Sequence, residues 1–183
     1  ALGAGETIGL LWQQLQKRSP RLNVLYEHPY VFRSPFGLAF TLDMYKQDSI
    51  FLNINMRLGA NYKTGANQSA TVFLQRRQSI VNSINTAAII QTKKLPAEAD
   101  VSSLNLGFDY LVNSTDYRFN PRKGSELSVT SSAGTKKIRK NSQVLDLKDP
   151  SNPSYKFETL YDTLKQKVYQ VRLNISAAHF LPI

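Results

Sequence analysis

The chain is dominated by stretches in which apolar and polar residues alternate one by one. Between residues 50 and 62 the even positions carry apolar or aromatic side chains, and the odd positions include Asn53, Asn55, Arg57, Gly59 and Asn61. Successive side chains of a β-strand point to opposite faces, so a period of two predicts one apolar and one polar face. The same alternation recurs over residues 22–26, 36–44, 104–112 and 169–177, and more weakly over residues 7–16, 68–78 and 125–138. The pattern predicts an all-β fold of about eight strands, with a short helix expected only within residues 78–92.

The predicted strands are long for a soluble protein. We place them near residues 6–16, 21–31, 36–46, 49–63, 67–78, 102–113, 125–138 and 164–181. Strands of soluble sheets cluster near roughly five to six residues, whereas a tilted strand crosses a bilayer in about 9–11. An antiparallel soluble sheet with one wet face alternates in the same way, so periodicity alone leaves both environments open.

The lengths of the connections favour the membrane environment. In an up-and-down meander alternate connections share one rim, which places the short links 32–35, 64–66 and 114–124 together. The long links, about 79–101 and 139–163, then lie on the other rim. Membrane barrels have short periplasmic turns and long outer loops, and such long loops are uncommon in compact soluble domains. The sequence therefore predicts that residues 1–183 form a single segment of an antiparallel up-and-down transmembrane β-barrel.

The alternation assigns a direction to the side chains of such a barrel. Polar positions face the lumen and apolar positions face lipid. The lumen-facing candidates are Asn55, Arg57, Asp109, Arg172 and Asn174, whose charges we expect to pair with one another. The lipid-facing candidates are Leu52, Ile54, Leu106, Phe108, Val171 and Leu173.

Composition removes several kinds of chemistry. The 183 residues contain no cysteine, which excludes a disulfide scaffold, a thiolate metal site and a cysteine nucleophile. The sequence carries no nucleophile elbow, phosphate loop or paired-histidine metal motif. The two histidines, His28 and His179, lie near strand ends without a partner at metal-ligand spacing. We predict that the chain is not an enzyme and holds no metal or cofactor.

A basic excess is the strongest charge feature, with 23 Lys and Arg against 13 Asp and Glu and a net charge of +10. It includes the basic loop Lys136–Lys140, the turn residues Arg118, Arg122 and Lys123, and the pair Arg76 and Arg77. Three interpretations stay open: a solvated loop surface, attraction of the long-loop rim to anionic lipid head groups, and binding of nucleic acid. Because the clusters fall on both rims and no nucleic-acid motif is present, we predict no nucleic-acid partner.

Three stretches resemble the BamA/TamA family of outer-membrane β-barrel assembly factors, a surface antigen family, in versions like those of the Bacteroidetes group. They are Tyr-Glu-His-Pro-Tyr-Val-Phe with Ser-Pro-Phe-Gly-Leu over residues 26–38, the Asp…Pro…Gly turn over 116–127, and residues 168–173 with the closing 180–183. Their order and spacing agree with the family over nearly the whole chain. Proline fixes φ and glycine permits a positive φ, as turns require. The residues expected in periplasmic turns are Pro35, Gly37, Asp116, Pro121 and Gly124.

The resemblance implies a function in the outer membrane of a Gram-negative bacterium. Members fold and insert other β-barrel proteins without enzymatic chemistry, by offering an open strand edge at a seam. The implied partners are outer-membrane lipid, nascent β-barrel clients and periplasmic or accessory assembly subunits. The family implies about sixteen strands, POTRA domains before the barrel and a late Arg-Gly-aromatic loop. This sequence shows about half of those strands and contains neither POTRA domains nor an Arg-Gly pair, so we expect a barrel fragment that matches roughly the third to tenth strands. The alternatives are a self-contained eight-stranded pore or adhesin and a soluble sheet module for an anionic ligand.

Overall fold

The structure, a computed structural model, describes residues 5–48, 50–65, 67–96, 99–117, 119–162, 164 and 167–181. Arg118 of the turn motif and the closing Pro182 and Ile183 lie outside the described residues. Eight strands form one antiparallel sheet in chain order, as the alternation predicted. They are β1 (Thr7–Gln16), β2 (Ser19–His28), β3 (Phe36–Gln47), β4 (Phe51–Gly65), β5 (Gln68–Val81), β6 (Asp100–Asn113), β7 (Gly124–Arg139) and β8 (Lys167–Phe180).

The sheet has two open edges within the described residues. β1 pairs only with β2, and β8 pairs only with β7, so the sheet is not closed. The strand ends shift by up to three residues from the predicted ones, from 78 to 81 in β5 and from 31 to 28 in β2. The predicted continuation of β2 to Val31 was wrong, because Pro29 cannot donate a backbone hydrogen bond to the ladder. Residues Val31–Arg33 form a 3-10 turn instead, in which Phe32 has a φ of 52°.

The two faces of the central strands β5 and β6 differ in exposure, and the polar face is the covered one there. In β6 Ser103 and Asn105 are buried. Their neighbours Leu104, Leu106 and Phe108 are 49%, 60% and 41% exposed. This pattern is the reverse of a soluble sheet, in which the apolar side chains are covered and the polar ones face water. We call the two sides the polar face and the apolar face.

The turn between β6 and β7 depends on Gly124, which has a φ of 114°. A Cβ at this position would lie 2.3 Å from the Ser114 carbonyl oxygen, a backbone atom held in the turn. We expect Gly124→Ala to lower the free energy of unfolding by about 1–3 kcal/mol, measured by urea unfolding in detergent micelles. Gly65→Ala is the matched control, because a Cβ there has no neighbour within 4 Å. Equal stability of the two variants would contradict strain at Gly124.

The two long connections pack against each other at one rim. The first contains helix α1 (Thr86–Thr92), and the second contains helix α2 (Ser142–Leu145) and a 3-10 turn at Phe157–Tyr161. A buried cluster joins them, and we call it the loop cap: Ile89, Val144, Phe157 and Tyr161. The short helix expected within residues 78–92 is α1. None of the helices in the described ranges has the length and hydrophobicity needed to cross a membrane.

Candidate functional site: the polar face of the sheet

The strand register places the predicted site residues on two opposite faces. Asp109 lies opposite Thr130, and Thr130 lies opposite Asn174, so these side chains share the polar face across β6, β7 and β8. The same alternation puts all five lumen-facing candidates on the polar face: Asn55, Arg57, Asp109, Arg172 and Asn174. The six lipid-facing candidates lie on the apolar face: Leu52, Ile54, Leu106, Phe108, Val171 and Leu173. That these faces meet a lumen and lipid stays a prediction.

The centre of the polar face is built around the ring of Phe73. This side chain is only 2% exposed, and the Arg57 guanidinium carbon lies 3.6 Å from the ring centroid. Arg57 also donates a hydrogen bond from Nη2 to Asp109 Oδ2, forming an ion pair across the sheet. Cation–π contact and ion pair together fix the guanidinium in one orientation. This pair of charges therefore has a structural role, and Arg57 is not free to hold a ligand.

One of the two glycines beside Phe73 makes room for its aromatic ring. Gly59 in β4 and Gly107 in β6 lie directly opposite Phe73 on either side. A Cβ at Gly107 would approach the ring to 2.2 Å, so only glycine fits beneath it. Sequence reasoning missed Phe73, because a single aromatic residue on a polar face breaks the alternation. The two facing glycines are a signal for it, but they can be recognised only once the register is known.

Side-chain amides connect further strands across the polar face. Gln75 Nε2 donates to Asn55 Oδ1 at 2.9 Å, between neighbouring strands β5 and β4. Gln170 Nε2 donates to Asn105 Oδ1 at 2.6 Å, although β7 lies between their strands. The residue of β7 between them is Gly134, which has no side chain to obstruct the contact. Asn105 is only 3% exposed, so its amide is satisfied inside the protein, as buried polar groups require.

A basic cavity lies on the polar face near the long-connection rim. It has a volume of about 290 Å³, and Arg77, Lys136 and Arg172 line it. Asp43 also lines it, but its Oδ2 accepts a hydrogen bond from Arg21 Nη2 at 2.7 Å. Three cationic side chains gathered in one cavity can attract anions. The described residues also contain no group of three or more His, Cys, Asp or Glu side chains that could hold a metal ion.

The opposite rim carries the predicted turn residues. Pro35 precedes β3, Gly37 lies within it, Pro121 lies in the turn before β7, and Gly124 begins β7. In that turn Asp116 Oδ1 accepts hydrogen bonds from three backbone N–H groups, at 2.9–3.1 Å. Partial desolvation acts to raise the pKa of Asp116, but these hydrogen bonds outweigh it and lower the pKa below its usual value. The carboxylate therefore organises the turn that the sequence motif marks.

Electrostatic contacts hold the loop cap together. Lys93 Nζ donates to Asp149 Oδ2 and lies 4.6 Å from the ring centroid of Tyr155. Asn141 ties the cap to the sheet, since its Nδ2 donates to the Val81 carbonyl at 3.1 Å. The hydrogen bond from Lys93, and a second from the backbone N–H of Ser151, lower the pKa of Asp149 below its usual value.

The loop cap should therefore weaken in acid. A carboxyl with a lowered folded-state pKa stabilises above its unfolded pKa, and this contribution disappears as the pH falls through the folded value. For Asp149 the loss begins below its ordinary pKa of 3.8. We expect the NMR methyl signals of Ile89 and Val144 to keep their native shifts from about pH 7 to pH 4 and to lose them at lower pH. In Asp149→Asn the same signals should shift already at neutral pH, and an unchanged acid transition in this variant would contradict the assignment.

Comparisons with known proteins add no identification. Searches against protein-family models, curated proteins and solved structures found no match to this chain.

Proposed function

We propose that this chain forms part of the wall of an outer-membrane β-barrel, with its apolar face in contact with lipid. The observation that carries this proposal is that the apolar face of the central strands is exposed and their polar face is covered. Leu74, Leu104 and Leu106 of β5 and β6 are open to the surroundings, while Gln75 and Asn105 of the same strands are covered and hydrogen-bonded. Covering one such apolar side chain is worth about 1.5–3 kcal/mol, so an uncovered face of this size would be very costly in water. Hydrocarbon covers it without any further protein.

The open edges favour a larger barrel over a self-contained one. The outer sides of β1 and β8 leave backbone N–H and C=O groups without a neighbouring strand among the described residues. In a bilayer each unpaired backbone group costs several kcal/mol, so both edges need partner strands. Pairing with further strands of the same protein gives a barrel wider than eight strands, in which this segment is a stretch of stable wall.

The specific function we propose is insertion and folding of other β-barrel proteins in the outer membrane, as in the BamA/TamA family. The support is the resemblance of the strand–turn–strand and Asp…Pro…Gly motifs. The ordered turn geometry at Asp116 and Gly124 is consistent with it. A seam elsewhere in the barrel would offer unpaired backbone groups to an incoming strand, and no catalytic residue would be needed. This segment would keep the barrel rigid while the seam opens.

Two measurements on the full-length protein test this proposal. We expect heat-modifiable gel mobility in detergent, and faster folding of an unrelated outer-membrane barrel client in liposomes that contain the protein. Heat-modifiable mobility with ion conductance and without faster client folding would support the pore alternative and overturn the assembly role. A monodisperse, detergent-free monomer with a cooperative thermal transition would overturn the membrane wall itself.

A further inference from the structure

Four cationic side chains of β5, β7 and β8 interrupt the apolar face near the long-connection rim. Arg76 in β5, Lys137 and Arg139 in β7 and Lys167 in β8 all point to that side, and we call them the basic belt. The predicted basic loop Lys136–Lys140 is therefore mostly strand, since β7 runs to Arg139 and only Lys140 follows it. Within the strand Lys136 and Lys137 point to opposite faces, because side chains alternate.

The belt lies directly beside the apolar rows. Arg76 occupies the same row as Leu104 and Tyr169, and the next row toward the other rim contains Leu74, Leu106, Ala133 and Val171. Tyr169 is 80% exposed, and Lys167 Nζ lies 5.1 Å from its ring centroid. An aromatic ring with a polar end, next to cations and above an apolar surface, is typical of the level of lipid head groups.

No carboxylate forms a salt bridge with the belt among the described residues. The salt bridges of the described part of the chain involve other cations: Arg21, His28, Arg57, Lys93 and Lys140. Asp100 lies opposite Arg139, but its Oδ1 accepts from the Val81 backbone N–H at 2.7 Å and its Oδ2 accepts from Asn141 Nδ2 at 3.2 Å. Both carboxylate oxygens of Asp100 thus accept hydrogen bonds from residues that join the sheet to the loop cap.

Two guanidinium groups of the belt converge on one neutral side chain. With its amide oxygen facing them, Gln78 accepts hydrogen bonds from Arg76 Nη2 at 3.1 Å and from Arg139 Nη1 at 3.3 Å. Arginine side chains held close together without an acid between them form a receptor for a phosphate, whose oxygens match their donors. Beside them a groove of about 530 Å³, lined by Asp100, Lys137, Arg139 and Lys140, gives the ligand room.

We propose that the basic belt binds the phosphate groups of anionic membrane lipids, with the acyl chains lying along the apolar rows next to it. This inference rests on the proposed membrane wall. A lipid is favoured over a water-soluble polyanion because it satisfies both features at once: its phosphate meets the cations, and its chains cover Leu74, Leu106 and Val171. Polyanions such as nucleic acid would leave the apolar rows uncovered.

The test compares two variants of the full-length protein, each lacking one Lys and one Arg. Lys137→Gln/Arg139→Gln removes half of the belt, and Arg122→Gln/Lys123→Gln removes the same charges from the turn at the other rim. Both are extracted from vesicles of phosphatidylcholine with phosphatidylglycerol, and retained lipids are counted by native mass spectrometry. We expect retained phosphatidylglycerol to fall by about tenfold in the belt variant and by less than about twofold in the control.

Two further readouts distinguish lipid binding by the belt from a failure of the proposed membrane wall and from binding of phosphate alone. Heat-modifiable mobility should persist in both variants, and its absence from the unmodified protein would mean that the membrane wall has failed, not the belt. Inorganic phosphate added during extraction should not displace the lipid, because it lacks the acyl chains that contact the apolar rows. Equal lipid retention by the two variants, or full displacement by inorganic phosphate, would overturn the proposal.

Discussion

Replacing one residue of β8 by arginine should destabilise the protein in lipid, while the same replacement one residue later should not. Leu173 is 65% exposed on the apolar face. Asn174 lies at almost the same depth on the polar face, opposite Thr130. An arginine facing the middle of a bilayer costs about 2–4 kcal/mol, so we expect Leu173→Arg to lose that much free energy of unfolding. Asn174→Arg should stay within about 0.5 kcal/mol of the unmodified protein.

The measurement is reversible urea unfolding of both variants of the full-length protein in liposomes. The pair is matched in strand, depth, introduced charge and introduced volume, so the face is the variable that differs. Equal losses in the two variants would mean that the environment on both faces is the same. A larger loss for Asn174→Arg would place the polar face in the less polar surroundings.

The second large effect concerns the packing of Phe73 over Gly107. Phe73→Ala should cost about 3–5 kcal/mol, because it empties the space beneath the Arg57 guanidinium. Gly107→Ala should cost about 1–3 kcal/mol, because its Cβ would lie 2.2 Å from the ring. In the Phe73→Ala background the clash is gone, so adding Gly107→Ala should cost less than about 0.5 kcal/mol.

A double-mutant cycle measured by urea unfolding in detergent tests this packing. Gly9→Ala is a control on the same face, since a Cβ there makes only an ordinary contact of 3.4 Å with Leu25. Additive losses for the Phe73 and Gly107 variants would show that the ring does not lie over the glycine. Strong coupling would show that the ring packs directly over the glycine.

The sequence predicts the strands well because each strand carries its own signal. Alternation is a local property of ten or so residues, and it determines which side chains share a face. The six apolar candidates and the five polar ones separate onto opposite faces for this reason. Strand ends are less certain, since they depend on single residues such as Pro29, which ends β2.

Contacts between distant residues could not be predicted in the same way. Gln170 contacts Asn105 across Gly134, and Lys93 pairs with Asp149, at sequence separations of 65 and 56 residues. Such pairs depend on register and on how loops fold back, and neither leaves a periodic pattern in one sequence. The loop cap was missed for the same reason, because Ile89 lies in one connection and Val144 and Phe157 lie in the other, and no periodic pattern links the two.

The proposed function depends on which molecules touch the apolar face, and a spin-label scan of β8 measures this directly. Since the chain contains no cysteine, single cysteines can be placed at residues 170–176 of the full-length protein and labelled with a nitroxide. In liposomes we predict that oxygen, which concentrates in hydrocarbon, reaches the labels at 171, 173 and 175. A water-soluble nickel chelate should reach those at 172 and 174. Labels that the nickel chelate reaches equally at every position, or that neither reagent reaches at the odd positions, would contradict a lipid-facing apolar surface.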